Sequence, residues 1–196
     1  MQQTEAIFSE QINNRIQFLN ETSESREHWI QKNRYYYTSL YKIINKIISR
    51  GSSVCHVSCD TSSFLKFISP SKGLGLCLTE KQQYVCQSHD EMYEYRNLSG
   101  LDGIEEKYDY LVITNLGYIF DIQDFFKTLF PLCHSRTEII IINYNFLWEP
   151  FFRLGEKLGL RMPQSFKNQN LVSTYQTVNL LSLSGFQLVK WSSHLI

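Results

Sequence analysis

The residues best equipped for chemistry fall together between Gly51 and Leu65, GSSVCHVSCDTSSFL. Two thiols (Cys55, Cys59), an imidazole (His56), a carboxylate (Asp60) and the hydroxyls of Ser58, Thr61 and Ser62 share this one short stretch. Three chemistries draw on such groups. The first is the binding of a nucleotide-type cofactor. Apolar Val54 to Val57 reads as a strand and Ser63-Phe64-Leu65 opens a helix at once, which gives strand, tight turn and helix. In a loop of this kind glycines let the backbone turn sharply and let a ligand approach closer than any Cβ permits. Here Ser58, Asp60 and Ser62 occupy those places.

The second chemistry is metal binding, through Cys55, His56 and Cys59 together with Cys77, Cys86 and His89. On a strand Cys55 and His56 point to opposite faces. The spacing also lacks the two Cys-x₂₋₄-Cys or His pairs of a structural zinc site. The sequence therefore predicts no metal and buried small thiols instead. The third is acyl transfer by Ser58, His56 and Asp60. These three lie too close in one loop to act as nucleophile, base and orienter.

These residues need elements to position them. Before residue 50 the apolar spacing is helical (Ile7, Ile12, Ile16, Leu19, then Tyr37, Leu40, Tyr41, Ile44, Ile47, Ile48), and polar Asn20 to Ser25 breaks it into at least two helices. After Ser53 short apolar strands alternate with helices. Strands are predicted at 54–57, 75–78, 93–96, 110–114, 138–143 and 186–191, and helices near 62–68, 80–88, 122–130, 146–158 and 174–183. Continuous apolar strands such as Leu111-Val112-Ile113 in βα alternation predict a largely parallel sheet covered on both faces. The expected organisation is a helical cap over 1–50 and one α/β unit over 51–196. In such a sheet ligands sit beyond the carboxyl ends of the strands, where strand order reverses.

Composition narrows the function classes. The 196 residues are 43% hydrophobic, enough for a full core, and 19 basic residues balance 19 acidic ones. No global basic field draws the chain to nucleic acid. No apolar run approaches the roughly 20 residues that span a bilayer, and the N-terminus lacks a signal pattern, so a cytoplasmic protein is expected. The odd set of five cysteines predicts free thiols.

The order of elements, with VCHVSCDTSSFL at the first turn, resembles the class I S-adenosylmethionine-dependent methyltransferases, whose first strand and loop read like V-L-D-V-G-C-G-T-G-x-L-L. Val54, Val57, Cys59, Thr61 and Leu65 fall on matching positions. The resemblance spans roughly residues 35 to 190. It implies a Rossmann-like fold, S-adenosylmethionine as cofactor, and a site that includes His56, Ser58, Asp60, Ser62, Cys77, Asn97 and Asn115. At several of these this chain departs from the family. His56 replaces the loop-ordering acid, Ser58, Asp60 and Ser62 replace three glycines, and Cys77 replaces the acid that takes both ribose hydroxyls. Asn97 or Ser99 falls at the acid near the adenine, while Asn115 is compatible with the family. The segment from Asn143 to Phe186 also resembles methyltransferases of bacterial glycan-assembly neighbourhoods.

Each departure opposes cofactor binding. A non-glycine in the left-handed region costs about 1 kcal/mol or more, and Asp60 adds a negative charge. Losing a charge-assisted contact at Cys77 removes about 1.5–3 kcal/mol more, and the sum corresponds to roughly a hundredfold in affinity. The sequence therefore predicts a pseudoenzyme, a non-catalytic binding or scaffolding subunit on a methyltransferase fold; the rival is an active enzyme with a divergent loop. An alternative role for Asp60 and Ser62 is capping of the following helix.

The resemblance places the helix before the first strand over the cofactor cleft. Tyr35, Tyr36 or Tyr37 could then cap a ligand, whereas the helical stripe Tyr37, Leu40, Tyr41 reads as core. Tyr144, Asn145, Trp148 and Glu149 are expected on the acceptor side, an aromatic and amide-rich rim that suits sugars or a protein. His134 is expected at the opposite end of the sheet. The family's seventh strand is missing from the sequence, which would leave a sheet edge unpaired unless a second chain covers it or a C-terminal portion has been removed. Protein partnership or homo-oligomerisation is the resulting expectation.

Overall fold

Helical spacing before residue 50 and strand–helix alternation after it become two layers around one sheet. The computed structural model describes residues 2–101, 104–119, 121–144, 148–163 and 173–194, with side chains from residue 10 onward. Three helices come first: α1 (Gln2–Thr22), α2 (Arg26–Lys32) and α3 (Arg34–Asn45). The polar break acts as its composition predicts. Ser23 and Ser25 hydroxyls donate to the carbonyls of Asn20 (2.7 Å) and Thr22 (3.0 Å), which offers the backbone an alternative to continued helix.

The alternating part runs β1 (Ser53–Val57), α4 (Ser63–Ile68), β2 (Lys72–Cys77), α5 (Glu80–His89), β3 (Glu94–Asn97), β4 (Tyr108–Ile113), α6 (Ile122–Thr128), β5 (Cys133–Ile141), α7 (Glu149–Lys157) and α8 (Thr174–Leu183). The sheet order is β3-β2-β1-β4-β5, with every pair parallel. Strand order reverses between β1 and β4, so the loops that follow these two strands open the crevice.

Alternate strand residues serve opposite faces, as a period of two requires. Val54, Tyr110 and Val112 pack with Tyr41, Ile44, Phe64 and Leu65 from α3 and α4. Cys55, Val57, Leu111 and Ile113 pack on the other side with Phe125, Phe126 and Leu129. Each fully buried Ile or Phe contributes about 1.5–3 kcal/mol relative to exposure. Strand β2 carries two glycines because two rings lie flat on it: a Cβ at Gly75 would sit 2.3 Å from Tyr95 Cδ1, and one at Gly73 would sit 2.6 Å from Tyr93 Cδ1.

Several helix starts are fixed by side chains. Thr79 Oγ1 accepts from the Gln82 amide while Gln82 Oε1 accepts from the Leu78 amide, and Ser173 and Gln176 form a capping box. The predicted strand at 186–191 is absent, so the described residues form five strands rather than six. Gly185, at φ +86°, ends α8, and the Phe186 amide donates back to Leu181 O. Phe186 is thereby turned onto Phe130, with stacked rings 4.6 Å apart, and its apolar surface is used against the α6 side rather than in the sheet. β3 and β5 are the edge strands among the described residues. No helix among these residues is long and apolar enough to cross a membrane.

Candidate functional site

Beyond the ends of β1 and β4 lies a cavity of about 300 Å³. Its floor is His56, Thr114 and Asn115. Arg26, Trp29, Tyr36, Tyr37 and Tyr41 descend from α2 and α3, and Asp60 and Thr61 come from the loop after β1. Tyr118, Tyr144, Phe152, Arg161 and Met162 complete the wall. The site therefore sits where strand order reverses, as the topology requires.

The loop after β1 is tied down by α2. Arg26 Nε lies 2.7 Å from Asp60 Oδ2, and both side chains are largely buried. Burial pulls the Arg26 guanidinium down, but Asp60 with the surrounding tyrosines more than offsets this and holds it protonated. The neighbouring Glu27 takes the other end of the loop. Its carboxylate accepts from Thr61 Oγ1, from Ser63 Oγ at 2.6 Å and from Ser62 Oγ at 3.4 Å. Adjacent residues of one helix thus engage four consecutive loop residues. Asp60 is neutralised by the protein itself, so repulsion of an incoming anion gives way to prior occupation of the loop's polar groups.

Backbone geometry differs from the expectation that all three replaced glycines are strained. Only Ser58, at φ +55°, is left-handed; Asp60 and Ser62 are not. Left-handed backbone at Ser58 costs roughly 1–2 kcal/mol, and its Oγ reaches Asn115 O at 3.4 Å. Capping by Asp60 and Ser62 is also corrected, because it is Thr61 Oγ1 that accepts from the Ser63 amide at 3.1 Å.

His56 is fully buried, with Nε2 2.9 Å from Thr114 Oγ1, and its Nδ1 finds no hydrogen-bond partner among the described residues. Burial first, and then the Arg26 charge, lower its pKa to about 3, so the imidazole is neutral. A neutral imidazole with a vacant ring nitrogen can donate or accept one hydrogen bond. On the far wall the Tyr36 and Tyr144 hydroxyls lie 2.6 Å apart, joining α3 to the segment after β5, and burial pushes both phenols up. The Phe152 ring meets Tyr144 edge-on, and the Arg161 guanidinium sits 4.2 Å from the Phe152 centroid.

Of the eight site residues read from the sequence, His56, Asp60 and Asn115 line the cavity. Ser58 and Ser62 lie in the loop but point to Asn115 and Glu27. Cys77 and Asn97 are register partners at the ends of β2 and β3, outside the cavity lining. Asn97 Oδ1 accepts from the Ser99 amide and hydroxyl, capping its own turn. Tyr35 is corrected outright: it is 79% exposed, because the helical period sends Tyr36 and Tyr37 inward instead. Trp148 and Glu149 also lie outside the lining, and Asn145 lies outside the described residues. His134 sits at the opposite end of the sheet beside Asp109, as expected.

Sequence reasoning missed Arg26, Glu27, Trp29, Tyr118, Phe152 and Arg161. None carries a local motif: Arg26, Glu27 and Trp29 come from α2, Phe152 from α7, Arg161 from the turn after α7 and Tyr118 from the short turn after β4. It also missed a convergence of thiols: Cys59, Cys77 and Cys86 bring their Sγ atoms within 4.8 Å of one another. Cys59 Sγ also approaches Thr61 O at 3.2 Å, and hydrogen bonds from Cys59 and Cys77 make Cys86 the most acidic of the three. Cys55 packs on the opposite face of the sheet, in the cluster that Cys133 adjoins, and burial pushes its thiol up.

Against known structures, the chain superimposes on an S-adenosylmethionine-dependent methyltransferase of Thermotoga maritima with a TM-score of 0.68 at 14% identity, over 89% of this chain and 82% of that one. The fold is that of the class I methyltransferases. A chain of the complex between the Haloferax volcanii Trm112 methyltransferase activator and a methyltransferase matches this methyltransferase fold at TM-score 0.63 and 10% identity, over 88% and 77% of the two chains. DhpI in complex with S-adenosylhomocysteine matches at 0.55 and 10% identity, over 68% and 70%. No family model and no curated protein sequence matches, so the methyltransferase-fold likeness is carried by structure.

Proposed function

We propose that this methyltransferase-fold protein is a non-catalytic binding or scaffolding subunit, working in the cytoplasm, whose S-adenosylmethionine site has been eroded. The observation that carries the reading is the latch of α2 on the loop after β1, Arg26 on Asp60 and Glu27 on Thr61, Ser62 and Ser63. In the resembled family those loop positions face the cofactor. Here their polar groups already have partners from the same chain. The residues at the other end of the expected cofactor also fit it poorly. Cys77 is a buried thiol among thiols and cannot take two ribose hydroxyls, and Asn97 is engaged by Ser99. We assign no methyl-transfer step to these residues.

A partner role draws support from α7. Phe151 and Leu154 on α7, and Leu158 just past its end, are exposed among the described residues. A contiguous exposed apolar patch is one mark of a protein-contact surface.

The second reading is an active S-adenosylmethionine-dependent methyltransferase acting on a glycan-related or small-molecule acceptor. It is favoured by the cavity, which still opens at the strand-order reversal, and by the cofactor product bound in DhpI. Thermal-shift measurements with S-adenosylmethionine and S-adenosylhomocysteine separate the two. The proposed reading expects no shift for the natural chain. A clear shift in the natural chain favours the enzyme.

A further inference from the structure

Cys59 follows β1, Cys77 ends β2 and Cys86 lies mid-way along α5, so three separate elements deliver one thiol each to a single point. All three Sγ atoms lie within 4.8 Å of one another, and the residues are 0%, 0% and 1% exposed. Three sulfurs around one ion at the usual thiolate bond length of about 2.3 Å stand roughly 3.8–4.0 Å apart. The cluster therefore needs only sub-ångström adjustment. A disulfide would use two of the thiols and strand the third in an apolar core, whereas one ion engages all three.

We propose that Cys59, Cys77 and Cys86 form a three-thiolate site for a soft d¹⁰ metal ion. Thiolates without nitrogen or oxygen partners select Cu⁺ or Zn²⁺ over hard cations. No fourth His, Cys, Asp or Glu joins the three among the described residues, and all three are closed to solvent. Three-coordinate Cu⁺ fits this arrangement best, because structural zinc is almost always four-coordinate. On binding, each thiol proton leaves to solvent as its metal–sulfur bond forms. The ion would staple the loop after β1 to β2 and α5. It would occupy the position where the resembled family keeps its ribose-binding acid, and this inference rests on no assumption about cofactor binding.

The test is refolding of the full chain from denaturant, under argon and with its thiols reduced, in the presence of one equivalent of Cu⁺ or Zn²⁺. Retained metal is then measured after desalting against a weak chelator, together with thiolate-to-metal absorption in the ultraviolet. One ion per chain is expected, with a higher unfolding temperature than the metal-free protein. Retention should fall tenfold or more in Cys77→Ser and in Cys86→Ser and stay unchanged in Cys55→Ser, whose thiol faces the other side of the sheet. Retention of Cu⁺ alone, of Zn²⁺ alone or of both supports the site and names its ion. Retention of neither, or equal retention in Cys77→Ser and Cys86→Ser, overturns it. Circular dichroism of each variant confirms that a loss of metal is not a loss of fold.

Discussion

Arg26, Asp60 and His56 decide the electrostatics of the cavity. Removing one partner of a buried ion pair leaves the other charged and uncompensated, a loss of about 3–5 kcal/mol. Arg26→Met should therefore destabilise the protein by that amount in chemical denaturation, and Arg26→Met with Asp60→Asn should recover most of it. His56 makes stability depend on pH. Its folded pKa of about 3 lies below the unfolded value of 6.5, so the unfolded chain binds a proton in that interval and the folded chain does not. Its contribution is full above pH 6.5 and is lost as pH falls toward 3, at up to about 1.4 kcal/mol per pH unit. Urea midpoints measured across this window should fall with pH, and the fall should be shallower in His56→Gln. The strand–loop–helix frame was legible in the sequence because it is local, and His56, Asp60 and Asn115, which line the cavity, were reached only through the family resemblance. The Arg26 and Glu27 latch was not legible, since a charge pair at a helix start reads as surface until the helix is placed.

Among the elements, β2 is the most constrained. Its glycines exist because Tyr93 and Tyr95 lie against them, and overpacking of a filled core costs about 1–3 kcal/mol. Gly75→Ala should lower stability by that amount, while Gly100→Ala, whose new Cβ meets nothing within 4 Å, should be near neutral; thermal unfolding of the pair checks this. Most strands and helices were legible from apolar runs, with boundaries shifted by one to a few residues. The strand predicted at 186–191 failed for a nameable reason. Phe186 stacks on Phe130 while Leu188, Val189 and Trp191 stay exposed, and an apolar run by itself does not supply the neighbouring strand that a strand must pair with. Cys59, Cys77 and Cys86 stood among the candidate metal ligands in the sequence and were discounted on spacing, because they are far apart along the chain and only the parallel register of β1 and β2 with the return of α5 brings them together.

At the scale of the molecule, the fold preserves a crevice while α2 fastens the loop that forms one of its sides. A protein partner would meet the apolar residues of α7, so Phe151→Asp with Leu154→Asp should abolish association in sedimentation without lowering the unfolding temperature. A clean monomer at high concentration together with no partner-dependent change in these variants would remove that role. We infer that the site no longer takes the cofactor for which its fold is known. It is tested most directly by calorimetric titration of the natural chain with S-adenosylmethionine. No saturable heat is expected, and a saturable isotherm with a low-micromolar dissociation constant would mean that the site still takes the cofactor.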